Sequence, residues 1–100
     1  MQVALCEITF FLHGARTLKD KRSIVRRILD RTRARFDVAL AETGEQDVHQ
    51  RARLGFAAIG PDRRALEALT DHVIQFIDEL FVAERIGLER EILSWKGHYA

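Results

Sequence analysis

The chain has 100 residues, 47% apolar and 31% charged, with a formal net charge of +1. That length gives one domain with a modest core, and the balance of apolar and charged residues excludes a disordered chain. One cysteine, Cys6, excludes an intrachain disulfide and fits a reducing cytosol, and no stretch is long and apolar enough to cross a membrane.

The first element, residues 2 to 12, alternates with period two: Ala4, Cys6, Ile8, Phe10 and Leu12 form an apolar row, and Val3, Leu5, Glu7, Thr9 and Phe11 a mixed one. This predicts a strand with one face in the core. Glu7 and Thr9 interrupt the run, and it lacks a basic leader, so it reads as a strand rather than a signal segment. Cys6 falls on the core row and is expected to be a buried, inert thiol. After "HGAR", Thr17 fits a helix N-cap, with Asp20 three residues on in the capping-box position. Leu18, Lys21 through its stem, Val25, Ile28, Leu29, Thr32 and Phe36 then recur at helical spacing, predicting an amphipathic helix that ends near Phe36.

"FDVALAET" and "RARLGFAAIG" read as two strands of a hairpin joined by the polar "GEQDVHQ"; Val38, Leu40, Leu54, Phe56 and Ala58 are the expected core positions. Pro61 suits the first position of a second helix, whose apolar stripe is Leu66, Leu69, Val73, Phe76, Ile77 and Leu80. The last segment, "VAERIGLEREIL", alternates through Val82, Ile86 and Leu88. Residues 89–95 also fit a helical turn, while Gly87 favours strand. The order βαββαβ predicts an α+β, ferredoxin-like two-layer sandwich: a four-stranded antiparallel sheet with two helices on one face, a single domain over residues 1–100 with a short tail at 94–100.

Charge is unevenly distributed. Residues 16–35 carry nine basic side chains against Asp20 and Asp30, a local +7, so the remainder is −6. At about 100° per residue, Lys19, Arg22, Arg26 and Arg33 share one side of the helix. Arg27, Arg31 and Arg35 form a second line at i, i+4 spacing, where like charges repel. Asp30 is expected to neutralise part of the first group. Two uses of this face remain open: contact with the phosphates of an RNA through Lys19, Arg22, Arg26, Arg27, Arg31 and Arg33, or a solvated face whose stems shield the core edge.

"LHGARTLKDKR" resembles the "L-P-G-A-x-S-L-K-x-K-R" signature of the YlxP-like family of small bacterial proteins. "ETGEQDVHQRARLG" is similar to that family's "E-x-G-x-Q-D-x-x-Q-R-A-x-L-G" hairpin, and "EREIL" matches too, so the resemblance spans roughly residues 2 to 93. His13 stands where proline is usual, and His49 where an aromatic is frequent. The resemblance implies a ferredoxin-like domain of unknown function. Family members are often encoded beside translation-initiation and ribosome-maturation factors, which implies RNA or a ribosomal particle as partner. It also makes Gln46, Asp47, Gln50 and Arg51 candidate contacts, although such residues equally satisfy a turn's own backbone.

Stacking of bases on the open sheet face is not expected, because Arg53, Gly55 and Ala57 supply no aromatic and the first strand offers only Glu7, Thr9 and Phe11. Glu7 and Arg53 are expected to pair across strands. His13, His49, His72 and His98 have no metal-ligand spacing, and the acidic pairs have no evident cleft, so no enzyme, metal, cofactor or small-molecule substrate is expected. The alternative is a protein-interaction module, such as a homodimer, using a sheet edge or the open sheet face, with Leu5 and Phe11 on that face and Trp95 and Tyr99 of the tail.

Overall fold

The computed structural model describes residues 1–97 and shows the expected element order: β1 (Gln2–Phe11), α1 (Leu18–Arg35), β2 (Ala39–Gly44), β3 (Arg51–Gly60), α2 (Arg63–Asp78) and β4 (Glu84–Ser94). The strands form one sheet in the order β2-β3-β1-β4, every neighbouring pair antiparallel, which is the ferredoxin-like arrangement. Both helices pack on one face of it, where Ala4, Cys6, Ile8, Phe10 and Leu12 from β1 and its exit meet Ala52, Leu54, Phe56 and Ala58 from β3. The period-two rows read from the sequence are therefore the core rows. Each side chain on this face leaves water by facing the buried stripes of the helices, Val25 and Ile28 on α1 and Leu66, Val73, Ile74 and Ile77 on α2.

The helix ends follow local chemistry. The Thr17 hydroxyl accepts the Asp20 amide at 3.1 Å, and the Asp20 carboxylate accepts the Arg16 amide at 2.9 Å. These bonds satisfy amide donors that a helix start leaves free, and the Arg16 bond holds the Asp20 carboxyl below the usual carboxylate range. In α2 the N-cap is Asp62, whose carboxylate accepts the Arg64 amide at 3.0 Å. Pro61 thus precedes the cap instead of taking the first helical position: the short Asp62 side chain can reach back to a free amide, which proline cannot do.

The last segment is strand, without a helical turn, from Glu84 to Ser94; Val82 and Ala83 precede the strand. β4 pairs with β1 from Glu84 to Ser94, with a register shift at Thr9/Phe10, and beyond it the Trp95 amide donates to the Met1 carbonyl at 2.8 Å. The expected Glu7–Arg53 pair does not form. The register sets Glu7 opposite Gly55 and Arg53 opposite Thr9; Glu7 accepts the Thr43 hydroxyl at 2.7 Å, and Arg53 lies 3.6 Å from Glu45. Gly55 is required there: a Cβ would stand 2.7 Å from Thr43 Cγ2.

Candidate nucleic-acid interface

α1 sinks one edge into the core and exposes the rest. Lys21, Val25, Ile28 and Thr32 are its buried residues. Lys21 is only 3% exposed: its stem lies in the core edge, as expected, and its ammonium is buried with it. The charge is matched by Glu42 of β2 at 3.3 Å, and Nζ also donates to the Glu45 carbonyl. Lys21 therefore ties the start of the β2–β3 connection to α1. Glu45 sits there at φ 60°, and the connection is closed by a Val48 amide bond to the Glu45 carbonyl at 3.1 Å.

The remaining cations of α1 behave differently. Among the described residues there are seven ion pairs, and Lys21 is the one α1 side chain in any of them. Elsewhere Arg51, Arg53, Arg63, Arg85 and Arg90 each lie within 4 Å of a carboxylate. Lys19, Arg22, Arg26, Arg27, Arg31, Arg33 and Arg35 are exposed and have no such partner. Asp30 does not neutralise its neighbours: it makes no ion pair with any described residue. The helical wheel gives its direction, but long arginine stems in water gain little by bending towards one exposed carboxylate.

The two basic lines face different surroundings. Arg22, Arg26 and Arg33 join Lys21, Asp30, Gln46 and Asp47 around a groove of about 560 Å³ between α1 and the β2–β3 connection. One Arg33 N–H is engaged by the Leu40 carbonyl. On the other flank, Arg31 and Arg35 border a shallow depression beside Phe76, with the Arg35 guanidinium 5.5 Å from the Phe76 ring centre. Lys19 and Arg27 line neither hollow.

The candidate loop residues separate. Gln46 and Asp47 line the groove, and neither side chain hydrogen-bonds to a described residue; the turn is closed by backbone alone. Gln50 and Arg51 do not line the groove. The Gln50 carbonyl accepts the Leu12 amide at 2.7 Å, and Arg51 opens β3, 3.7 Å from Glu45.

A hollow of about 890 Å³ lies over the sheet, with Ala41, Gly55 and Ala57 as its floor and Glu7, Glu89 and Glu91, but also Arg33, Arg90 and Phe56, in its lining. Glu7 and Glu89 are directly opposite in register, and neither Glu89 nor Glu91 has a cationic partner among the described residues. Three carboxylates against the guanidiniums of Arg33 and Arg90 leave this hollow weakly acidic, which disfavours phosphate. Glu89 and Glu91 are one of the acidic pairs for which the sequence showed no cleft; they share this hollow with Glu7, which meets Glu89 only through strand pairing. Leu5 is exposed at the trough, and Phe11 is half-buried, packed edge-on to His13 at 4.6 Å. Trp95 is exposed beside Met1, whereas Tyr99 lies outside the described residues.

His13 lies 2.6 Å from Glu84, and among the described residues no cluster of His, Cys, Asp and Glu is arranged to hold a metal ion. No helix of the structure is long and apolar enough to cross a membrane.

Comparison with solved structures supports the architecture. A de novo designed protein, Foldit4, superposes with a TM-score of 0.52 at 14% identity, covering 96% of this chain and 100% of its own. The crystal structure of an antibiotic biosynthesis monooxygenase gives 0.52 at 16% identity, covering 97% and 100%. At such identities the likeness concerns fold alone. Sequence relationship is more specific. The uncharacterized protein YlxP of Bacillus subtilis (strain 168) is 35% identical over 83 residues, 83% of this chain and 90% of the relative. The model of a family described as "Protein of unknown function (DUF503)" matches residues 3–90, which include β1, α1, the β2–β3 hairpin and most of β4. The chain belongs to this DUF503 family, as the YlxP-like motifs on either side of the Lys21–Glu42 contact imply.

Proposed function

We propose that this protein is a non-enzymatic accessory factor that binds RNA, free or within a ribosomal particle, by its phosphate backbone through α1. One observation carries the reading: seven exposed cations on a single helix lack an acidic partner, while on the other elements Arg51, Arg53, Arg63, Arg85 and Arg90 have one and Arg64 alone does not, among the described residues. A helix gains nothing in stability from such a row, since like charges at i, i+4 oppose one another. A polyanion releases that repulsion and its own counterions together. The binding is expected to depend steeply on salt. With about four phosphate contacts, log K against log salt has a slope of about −3 for a single strand. The test is fluorescence anisotropy with labelled RNA across a salt series, for the native protein and for a Lys19→Glu, Arg22→Glu, Arg26→Glu variant. All three side chains are exposed and unpaired, so the variant should fold normally and lose binding. Salt-independent binding, or binding unaffected by the triple change, rejects the helix as the interface.

A second reading is self-association through one end of the open sheet face. There Met1 is 53% exposed, Ile59 67%, Leu93 42% and Trp95 48%, around the pairing of Val3 with Ile59 and Leu93. Contiguous apolar exposure of this kind marks interaction surfaces. Sedimentation equilibrium should then show a dimer that survives high salt and dissociates in Ile59→Asp; a monomer at all concentrations excludes this reading.

A further inference from the structure

The groove between α1 and the β2–β3 connection is not uniformly basic, and its mixture of charges points to a narrower ligand than any polyanion. Arg22 and Arg26 stand on the helix wall, Gln46 and Asp47 on the loop wall, and Asp30 lies at the helix side as well. Glu42 also lines the groove but is matched by Lys21; a surface for phosphate alone has no use for the two further carboxylates, Asp30 and Asp47, which weaken anion binding. A ligand carrying both a phosphate and a hydrogen-bond-donating edge fits both walls. We propose that this groove holds one unpaired guanosine nucleotide of a single-stranded RNA, its phosphate on Arg22 and Arg26 and its base edge on Asp47. The inference rests on the RNA reading above and specifies the strand and base that site accepts.

Three features support it. Asp47 has no hydrogen bond to any described residue, so its carboxylate is not consumed by the turn that contains it. The loop wall is held in place before any ligand arrives: Lys21, buried and paired with Glu42, donates to the Glu45 carbonyl, next to Gln46 and Asp47. A fixed wall binds without first losing loop entropy. The volume, about 560 Å³, lies in the range of small-ligand sites, about 300–1,000 Å³, and admits a splayed-out nucleotide but no duplex.

The base follows from donor and acceptor chemistry. A carboxylate only accepts, and its two oxygens match two adjacent donors. Guanine presents N1–H beside N2–H on its Watson–Crick edge. Cytosine and adenine place a ring-nitrogen acceptor beside their single amino group, and uracil flanks its one N–H with two carbonyls, so each sets an acceptor against the second oxygen.

The experiment uses the native protein and labelled U-rich RNA decamers with a central guanosine, inosine or uridine, read by anisotropy at fixed salt. Inosine keeps N1–H and lacks the N2 amino group. The guanosine strand should bind about tenfold more tightly than the uridine strand, within the discrimination expected of a bidentate base contact. Inosine should lose most of that gain. Asp47→Ala should bind all three strands alike, with the affinity the native protein has for uridine. Equal affinity of the native protein for guanosine and uridine strands overturns the guanine assignment while leaving backbone binding intact, as does a preference that persists in Asp47→Ala. No binding to any strand overturns both.

Discussion

Replacing Lys21 by methionine removes an ammonium that is almost wholly enclosed while keeping the stem. The loss has two parts. The hydrogen bond to the Glu45 carbonyl disappears, at about 1 kcal/mol. The Glu42 carboxylate then loses its cation; one of its oxygens is fully enclosed, with no hydrogen bond in the structure. Stranding one partner of a fully buried pair costs about 3–5 kcal/mol. Glu42 is 24% exposed, so water screens part of this, and about 2 kcal/mol is the fitting share. The sum, about 3 kcal/mol, corresponds to a fall in Tm of about 15 °C for a domain of this size. Urea unfolding monitored by far-UV circular dichroism measures it. The Lys21→Met, Glu42→Gln double variant should regain about half the loss, because it strands no charge. A single variant destabilised by less than about 1 kcal/mol, or a double variant no better than the single, would refute the view of Lys21 as a paired, buried cation.

Thr32 is fully buried and its hydroxyl has no hydrogen-bond partner, so Thr32→Val should raise stability by about 1 kcal/mol in the same urea titration. Gly55→Ala should cost about 1–3 kcal/mol because its new methyl meets Thr43 Cγ2, and adding Thr43→Ala should recover part of the loss. Burial pushes the Cys6 thiol from 9.0 up to about 11, against the pull of Arg90 and Arg85. A raised thiol pKa favours the fold in full below pH 9, and this contribution is lost as pH climbs through about 11. The stability of the native protein relative to Cys6→Ala should therefore fall by about 2–3 kcal/mol over that interval in pH-stepped denaturation.

What the sequence disclosed follows from how locally each feature is encoded. The alternation of β1 and β3 and the stripes of α1 and α2 need only neighbouring residues, and they place nearly the whole core. β4 was ambiguous because it is an edge strand: only Gly87 and Ile92 in it are even half-buried, so its hydropathy carries little period. The Glu7–Arg53 pairing failed for want of register, a property of two strands and the loop between them. At the site, the basic helix was legible, but the groove was not. Gln46 and Asp47 face Arg22 and Arg26 through tertiary contacts, among them Lys21 to Glu42 and Glu45, between positions more than 20 apart. The YlxP-like motifs contained Lys21, Glu42 and Glu45 without indicating that they meet.

The placement of β1 also bears on how the chain is made. The first strand to be synthesised sits at the centre of the sheet, and one of its two neighbours, β4, is the last. Until β4 has been synthesised, the apolar row of Cys6, Ile8 and Phe10 has no completed sheet around it, and the side later taken by Glu84–Ser94 is an open edge. Pairings that span almost the whole chain make folding slow and leave the nascent domain prone to association. The domain thus closes only when Leu93 and Trp95 have emerged, and truncations that remove β4 should yield an aggregating chain instead of a smaller folded one.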